Sequence, residues 1–365
     1  MKMFDEIFID QTKYGTKVQT SEYLKLGKNI IIDQGQSQIA GYTDRQEGLF
    51  RELPVIVFGD HTRIVKYVDK PFFLGADGVK VLRSKDENAN YKYLYYALKG
   101  AKIPNTGYNR HFKWLKKISI YYPSRKVQDE IVRKLDRIEE IISKRRKELV
   151  LLDEIMKARF IEMFGDPVDN PKGWKKQQLQ ELVTGDCTIS YGIVQTGDDQ
   201  EEGVPVFRPV DIVNRIPVCS ELKKTTEEIS NKYKRTILKG REMLITVRAN
   251  IADTCIVGGE FAGCNVGRGI VPIRTQEDII PLEFLKHQID SKHLNDNIKA
   301  MAKGITLIQL NMEDLREVEL IVPPIDMQRE FIAFAEQVNK SKVTVQKALD
   351  ETKLLFDSLM QKYFG

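Results

Sequence analysis

WLKKISIYYPSRKVQDEIVRKLDRIEEIISKRRKELVLLDEIMKARFIEMFG (residues 114–165) is the stretch that decides the fold, because its pattern occurs twice in the chain. Laid without gaps over residues 310–365, residues 110–165 place Leu115 on Leu315, Pro123 on Pro323, Gln128 on Gln328 and Glu130 on Glu330. Leu149 falls on Leu349, and Phe164–Gly165 on Phe364–Gly365. Only eight of these 56 positions are identical, but the two copies share their punctuation. Each copy runs L-x-x-[IV]-x-[IL], then Pro, then Gln-x-Glu, then a long helical pattern, then Phe-Gly.

Each copy reads as a strand, a stop and a long helix. ISIYY (118–122) and VELIV (318–322) are short β-rich runs ended by proline. Pro123 and Pro323–Pro324 open the helices, since the missing N–H has no partner in a first turn. In the first helix apolar residues fall at Ile131, Leu135, Ile138, Ile142, Leu149, Leu152, Ile155 or Met156, and Met163, which is coiled-coil spacing. The second is less regular, with Phe334, Val338, Val345, Leu349, Leu355, Leu359 and Tyr363. Gly165 suits a C-terminal cap. Residues 124–163 make a helix on the order of 60 Å long at about 1.5 Å per residue. Its stripe needs a partner, and the expected one is its own repeat copy, packed antiparallel.

The segments between the helices also match each other. PVIVFGDHTRIVKYVDKPFFLGADGVKVLR (54–83) and MLITVRANIADTCIVGGEFAGCNVGRGIVPIR (243–274) both read as strand, turn, strand, turn, strand. A short amphipathic helix follows each, YKYLYYALKG (91–100) and LEFLKHQIDS (282–291). The expected fold is therefore α+β: two similar mixed α/β domains, 1–122 and 166–322, separated by two long antiparallel helices, 123–165 and 323–365, in a pseudo-twofold internal repeat. Two similar heads on a helical spacer suit a ligand with two separated half-sites.

Composition narrows the class. With 42% hydrophobic and 30% charged residues the 365-residue chain reads as a globular protein of two or three domains. A net charge of +5 is mildly basic. Cys187, Cys219, Cys255 and Cys264 show no C-x-x-C or zinc spacing and read as buried thiols in a reducing compartment. MKMFDEIFID carries acids where a signal peptide needs an apolar run, and no stretch reaches the length of a membrane helix, so a cytoplasmic protein is expected.

Catalytic signatures are missing from the sequence. There is no phosphate-cradling G-x-x-x-x-G-K-[ST], no H-E-x-x-H, no deaminase H-x-E with P-C-x-x-C, no G-x-S-x-G elbow and no Pro-Asp dipeptide. GGEFAG (258–263) reads as a turn, KRRK (144–147) as a solvated helix face, and His287 and His293 as surface or packing residues. No metal site is expected. The loops fit nucleic acid better. In the first domain the candidates are His61, Arg63, Lys102, Tyr108, Asn109, Arg110 and His111; in the second, Tyr191, Gln195, Thr196, Arg208, Arg248, Asn250 and Arg268. Arginine and lysine bind phosphates, and Asn and Arg can make bidentate contacts with adenine and guanine edges.

At this point the motifs converge. IIDQGQSQIAGYT (31–43), PVIVFGDHTR (54–63), FFLGADGVKVL (72–82) and TGYNRHFKWLKKISIYYPS with Gln-x-Glu resemble one half of a Type I restriction–modification specificity subunit. GWKKQQLQELVT (173–184), the Q-T-G…G-V-P-V-F-R-P-V-D-I stretch (195–212) and GITLIQLNMEDLREVELIVPPIDMQRE (304–330) resemble the other, with FGDP (164–167) at the junction. GREMLITVRANI (240–251) departs from the Gly-Asp and Gly-Asn style usual for that turn. The resemblance implies two target-recognition domains, each reading one half of a split, asymmetric site in double-stranded DNA. It implies two modification subunits that carry S-adenosylmethionine and methylate adenine N6, and restriction or motor subunits that join for cleavage. It implies no catalytic site and no cofactor in this chain, and no membrane. A stand-alone nuclease or methyltransferase would need a constellation the sequence lacks. A coiled-coil scaffold without DNA specificity accounts for the helices but not for two similar, loop-rich domains.

Overall fold

The computed structural model describes residues 1–75, 78–107, 109–212, 219–304 and 308–365. They form two compact units: Met1–Glu148 with Val345–Gly365, and Leu149–Thr344. The cuts fall inside the two long helices, Arg125–Phe164 and Ile325–Phe364. Each unit thus contains one globular domain, the start of one long helix and the end of the other.

The same strand order is built in both domains. In the first, Phe8–Asp10, Val79–Ser84, Val55–Gly59 and Val65–Val68 form an antiparallel sheet in that order. In the second, Thr254–Val257, Glu242–Thr246 and Ile270–Ile273 repeat its last three strands, again antiparallel with the central one in the middle. A three-stranded sheet accompanies each. Gly41–Thr43, Asn29–Ile32 and Phe72–Leu74 in the first domain match Lys223–Thr225, Val204–Phe207 and Asn265–Val266 in the second. Both of these sheets pair their last two strands in parallel. The expected strand series over 54–83 is therefore four strands, not three, because Phe72–Leu74 leaves to join the other sheet. A run with every residue buried (Phe72, Phe73, Leu74) carries no alternation from which its destination could be read.

Tyr91–Lys99 and Leu282–Ile289 are the short helices. Asn90 caps the first, its side chain accepting the N–H groups of Lys92 (3.0 Å) and Tyr93 (3.1 Å). Each short helix holds the end of a long one. Phe364 packs on Tyr93 with ring centroids 5.4 Å apart, and Phe164 packs on Phe284 at 4.9 Å. Phe164, Phe160, Phe284 and Phe331 make an aromatic knot of mostly edge-to-face contacts. Gly165 ends its helix at φ +78°, a conformation that favours glycine.

Within each unit the helix segments run antiparallel. In the first, Arg145 reaches the Ala348 carbonyl and the Thr352 hydroxyl, while Phe364 lies beyond on Tyr93. In the second, Lys342 pairs with Asp153 at 2.6 Å and Glu330 with Arg159 at 3.0 Å. Alternating steps of four and three from Ile131 to Met163 land on buried or half-buried residues throughout, and so do the positions 200 higher, from Phe331 to Tyr363. The second helix looks irregular because Lys342 and Thr352 hold seam positions there, as Arg145 and Arg159 do in the first. Met156 rather than Ile155 takes the seam; Leu355 is exposed, and Phe334 lies half-buried against the Arg159 guanidinium. KRRK is solvated except for Arg145, which turns inward.

The repeated Gln-x-Glu also has a structural reason. Gln128 and Gln328 are both buried, and each donates its amide back to the proline carbonyl five residues earlier, at 3.0 and 2.7 Å. Gln128 also accepts the N–H of Asn90, and Gln328 donates to the carbonyl of Ile279. Gln128 therefore fastens the start of one long helix to the cap of its domain's short helix, and Gln328 fastens the other to the turn that leads into its domain's short helix.

Replacing Phe164 with Ala should destabilise the second unit by about 3–5 kcal/mol, the cost of an emptied aromatic site. Leu355→Ala should change stability by less than about 0.5 kcal/mol. Urea unfolding of the two variants checks both; equal effects would contradict the aromatic anchoring of Phe164 and the exposed placement of Leu355.

Candidate nucleic-acid interface

The turn after the central strand of the first domain organises its loops. Asp60 follows strand Val55–Gly59 directly. Its carbonyl accepts the N–H of His111 at 2.7 Å, its carboxylate accepts the N–H of Phe112 at 2.7 Å, and the His111 Nδ1 lies 3.0 Å from the same carbonyl. Arg63, at φ 61°, reaches the carbonyl of Ile103 at 3.3 Å. These bonds hold Ile103, His111 and Phe112 against the 60–63 turn. His61, half-buried, donates its backbone N–H to Gln34 at 3.2 Å. Lys102, Asn109 and Arg110 are exposed, with the Asn109 amide returning to the Thr106 carbonyl. Tyr108 lies outside the described residues.

His111 corrects an expectation. It is 0% exposed, its ring is held between Asp60 and Thr106, and it offers a ligand no surface. It is the anchor of the loop whose exposed members precede it.

The second domain repeats the arrangement with different side chains. Val247 follows the central strand Glu242–Thr246, and its carbonyl accepts the N–H of Leu310 at 2.9 Å. Arg248, beside it, directs its guanidinium at the Gln309 amide oxygen, with Nε at 2.9 Å. The Gln309 amide donates to the Tyr191 hydroxyl at 3.4 Å, and that hydroxyl lies 3.4 Å from the Leu310 carbonyl. Beside Tyr191, Gly192 lets the chain pass close to strand Asn265–Val266: a β-carbon there would sit 2.0 Å from the Val266 carbonyl oxygen. Arg268 and Asn250 are exposed on the neighbouring turns. Gln195 and Thr196 lie apart from this group, along strand Lys223–Thr225, where Thr225 donates to the Thr196 carbonyl at 2.8 Å.

Two arginines are less open than the sequence suggests. Arg208 closes a fork on Asp211, with Nε at 3.1 Å and Nη2 at 3.0 Å, which raises its pKa and occupies the donor edge a guanine would use. Arg248 is half-buried on Gln309. Gln309 is the residue that sequence reasoning missed. It directly precedes Leu310 as Arg110 directly precedes His111, and its place next to the repeated stretch 310–365 was the available signal.

Other concave and polar features lie elsewhere. A cavity of about 930 Å³ in the second unit is walled by Met156, Phe160, Ile161, Ile256 and His287 among others. Burial holds the His287 imidazole neutral, with its pKa lowered to about 4; Lys286 and Lys342 push the same way, and Asp290 and Glu283 oppose them. Its ring stands edge-on to Phe331 at 5.0 Å. Asp166, Asp169 and His293 bring ligand-capable atoms within 4.8 Å of one another. Asp166 there already accepts the N–H groups of Val168 and Asp169 and contacts His293 at 3.1 Å. The four cysteines are free; Cys187, Cys255 and Cys264 are buried, and Cys219 is half-buried 3.5 Å from Cys264. Among the described residues no helix is long and apolar enough to cross a membrane.

With this geometry in view, comparison places the protein. The sequence matches the family described as Type I restriction modification DNA specificity domain over residues 6–151 and 171–352, and the chain belongs to that family. It is 27% identical over 198 residues to the EcoBI specificity subunit of Escherichia coli, covering 53% of this chain and 42% of that protein. Against the EcoR124I/EcoR124II specificity subunit of the same species it is 23% identical over 365 residues, covering 93% of this chain and 87% of the relative. The fold is that of the Type I restriction-modification S subunit from M. genitalium, at a TM-score of 0.61 with 17% identity over 100% of this chain and 95% of that one. A chain from a structure of the assembly and conformational transition of a type I R-M system gives 0.57 with 19% identity, again over 100% and 95%.

His287 gives a pH test. Its folded pKa lies below the value near 6.5 of an unfolded histidine, so the unfolded chain binds the extra proton between those values. The resulting stability is complete above about pH 6.5 and is lost as pH falls towards 4, by up to roughly 3 kcal/mol. His287→Gln should flatten the dependence of unfolding free energy on pH across that window. An unchanged slope would place the titration elsewhere.

Proposed function

We propose that this chain is the DNA-reading subunit of a Type I restriction–modification enzyme. Each domain reads one half of a bipartite, asymmetric site in double-stranded DNA, and the long helices set the spacer between the halves. The observation that carries this reading is the duplicated site. In both domains the carbonyl after the central strand receives a loop N–H, that of His111 or Leu310, and the residue just before it carries a cationic side chain in one (Arg110) and an amide in the other (Gln309). A shared scaffold with divergent loops suits two unlike half-sites.

The catalytic steps belong to partners. Two modification subunits would carry S-adenosylmethionine and transfer its methyl group to adenine N6 on each strand, and restriction or motor subunits would join for cleavage. The long helices have surface for such partners. Val150, Leu151, Ile155 and Ile161 in the second unit, and Leu354 and Leu355 in the first, are exposed apolar residues on helices whose seams are already filled. Apolar side chains left outside a filled seam suit further helices packing alongside.

Base-modification sequencing of cells with and without the gene tests the reading. A split motif with N6-methyladenine on both strands should vanish on deletion and return on complementation. Exchanging residues 166–322 for the matching domain of a relative should change one half of that motif and leave the other intact. A change in both halves, or in neither, would overturn the modular assignment and favour a scaffold without sequence specificity.

A further inference from the structure

Residues Asp33–Gln38, DQGQSQ, connect strands Asn29–Ile32 and Gly41–Thr43 of the first domain. A buried cation is devoted to this loop. Lys66, in strand Val65–Val68, is 3% exposed, yet its ammonium donates to the Ser37 carbonyl at 2.6 Å and lies 3.5 Å from the Asp33 carboxylate. Burial lowers the lysine's pKa and Asp33 opposes that shift. An ammonium out of water is tolerated only where its partners are fixed.

The other loop residues are fastened too. Asp33 accepts the N–H of Gly35 at 2.8 Å, and Thr62 donates to the Gln34 carbonyl at 2.6 Å. The Gln38 amide donates to the Tyr67 carbonyl at 2.8 Å, and the Ala40 N–H closes the loop on the Ile31 carbonyl at 2.9 Å. Through Gln34 the loop also touches the 60–63 turn and so joins the candidate interface. Gln36 stands apart: it is exposed, and among the described residues its amide has no hydrogen-bond partner.

We propose that Gln36 is a specificity-determining residue of the first domain, reading one adenine in the major groove, and that Lys66 is the positioning residue that fixes its loop. This rests on the DNA-reading function proposed above. A carboxamide presents one acceptor and one donor side by side. Adenine answers with its N6 donor and N7 acceptor, whereas guanine offers two acceptors. A reading group works only from a backbone held to a fraction of an ångström, which is what Lys66 and the surrounding bonds supply.

The test uses the complex reconstituted with its modification subunits and a duplex carrying the mapped site. Each adenine of the half-site read by the first domain is replaced in turn by 7-deazaadenine, which lacks N7, and binding is measured at fixed salt. Gln36→Ala should lower affinity roughly 5- to 150-fold. At one adenine the 7-deaza penalty seen with the unaltered protein should disappear in Gln36→Ala, while the penalties at other adenines persist. Lys66→Met should lose the same discrimination; if it fails to fold, the exposed Gln36 variant carries the test alone. Unchanged affinity, or an equal loss on every sequence including non-specific DNA, would overturn the proposal, the second result marking a phosphate contact. An exchange of residues 1–122 separates the two levels. If the exchange changes the half-site but Gln36→Ala does not, only the Gln36 assignment falls; if neither does, the DNA-reading function falls with it.

Discussion

A helix of forty residues whose own domain covers only one end must find company for the rest of its apolar stripe. This chain supplies it twice, in one register. The offset of 200 residues holds at every seam position from Ile131 and Phe331 to Met163 and Tyr363, so each unit closes around antiparallel segments of the two helices. The globular domains hang from that constraint. Phe164 and Phe364 end the helices on the short helices of the domains, while Gln128 ties one helix start to the cap of a short helix and Gln328 ties the other to the turn before one.

The seam is not uniformly apolar, and its polar members are each answered within their own unit. Arg145 finds Thr352 and the Ala348 carbonyl, Lys342 finds Asp153, and Arg159 finds Glu330. Groups of this kind contribute little net stability at half-buried positions, but a slip of one turn would leave them facing apolar neighbours. They favour one register among the several that leucines and isoleucines alone would accept.

The interface follows the same economy. A single backbone contact, from the carbonyl after the central strand to the loop before the terminal strand, recurs in both domains through Asp60 and Val247. Main-chain geometry carries the scaffold, which leaves the loop side chains free to differ. That division suits a family whose members share a fold at sequence identities near 20%.

The sequence by itself determined the duplication, the α+β class, the two long helices and the loops worth inspecting. Periodicity and proline, glycine and glutamine punctuation are local signals, and they survive without knowledge of what packs where. Tertiary structure decided the rest. Phe72–Leu74 joins the second sheet because a fully buried run has no alternation to announce its partner. Arg145 turns into the seam from a run of four cations because its acceptors lie some 200 residues away in the chain. His111 is buried under Asp60, Arg208 is closed on Asp211, Gln309 is engaged by Arg248 and Tyr191, and Gln36 is left exposed. A loop residue's chemistry is written in its side chain. Whether that side chain faces solvent or is already spoken for depends on contacts distant in sequence, which only the folded chain brings together.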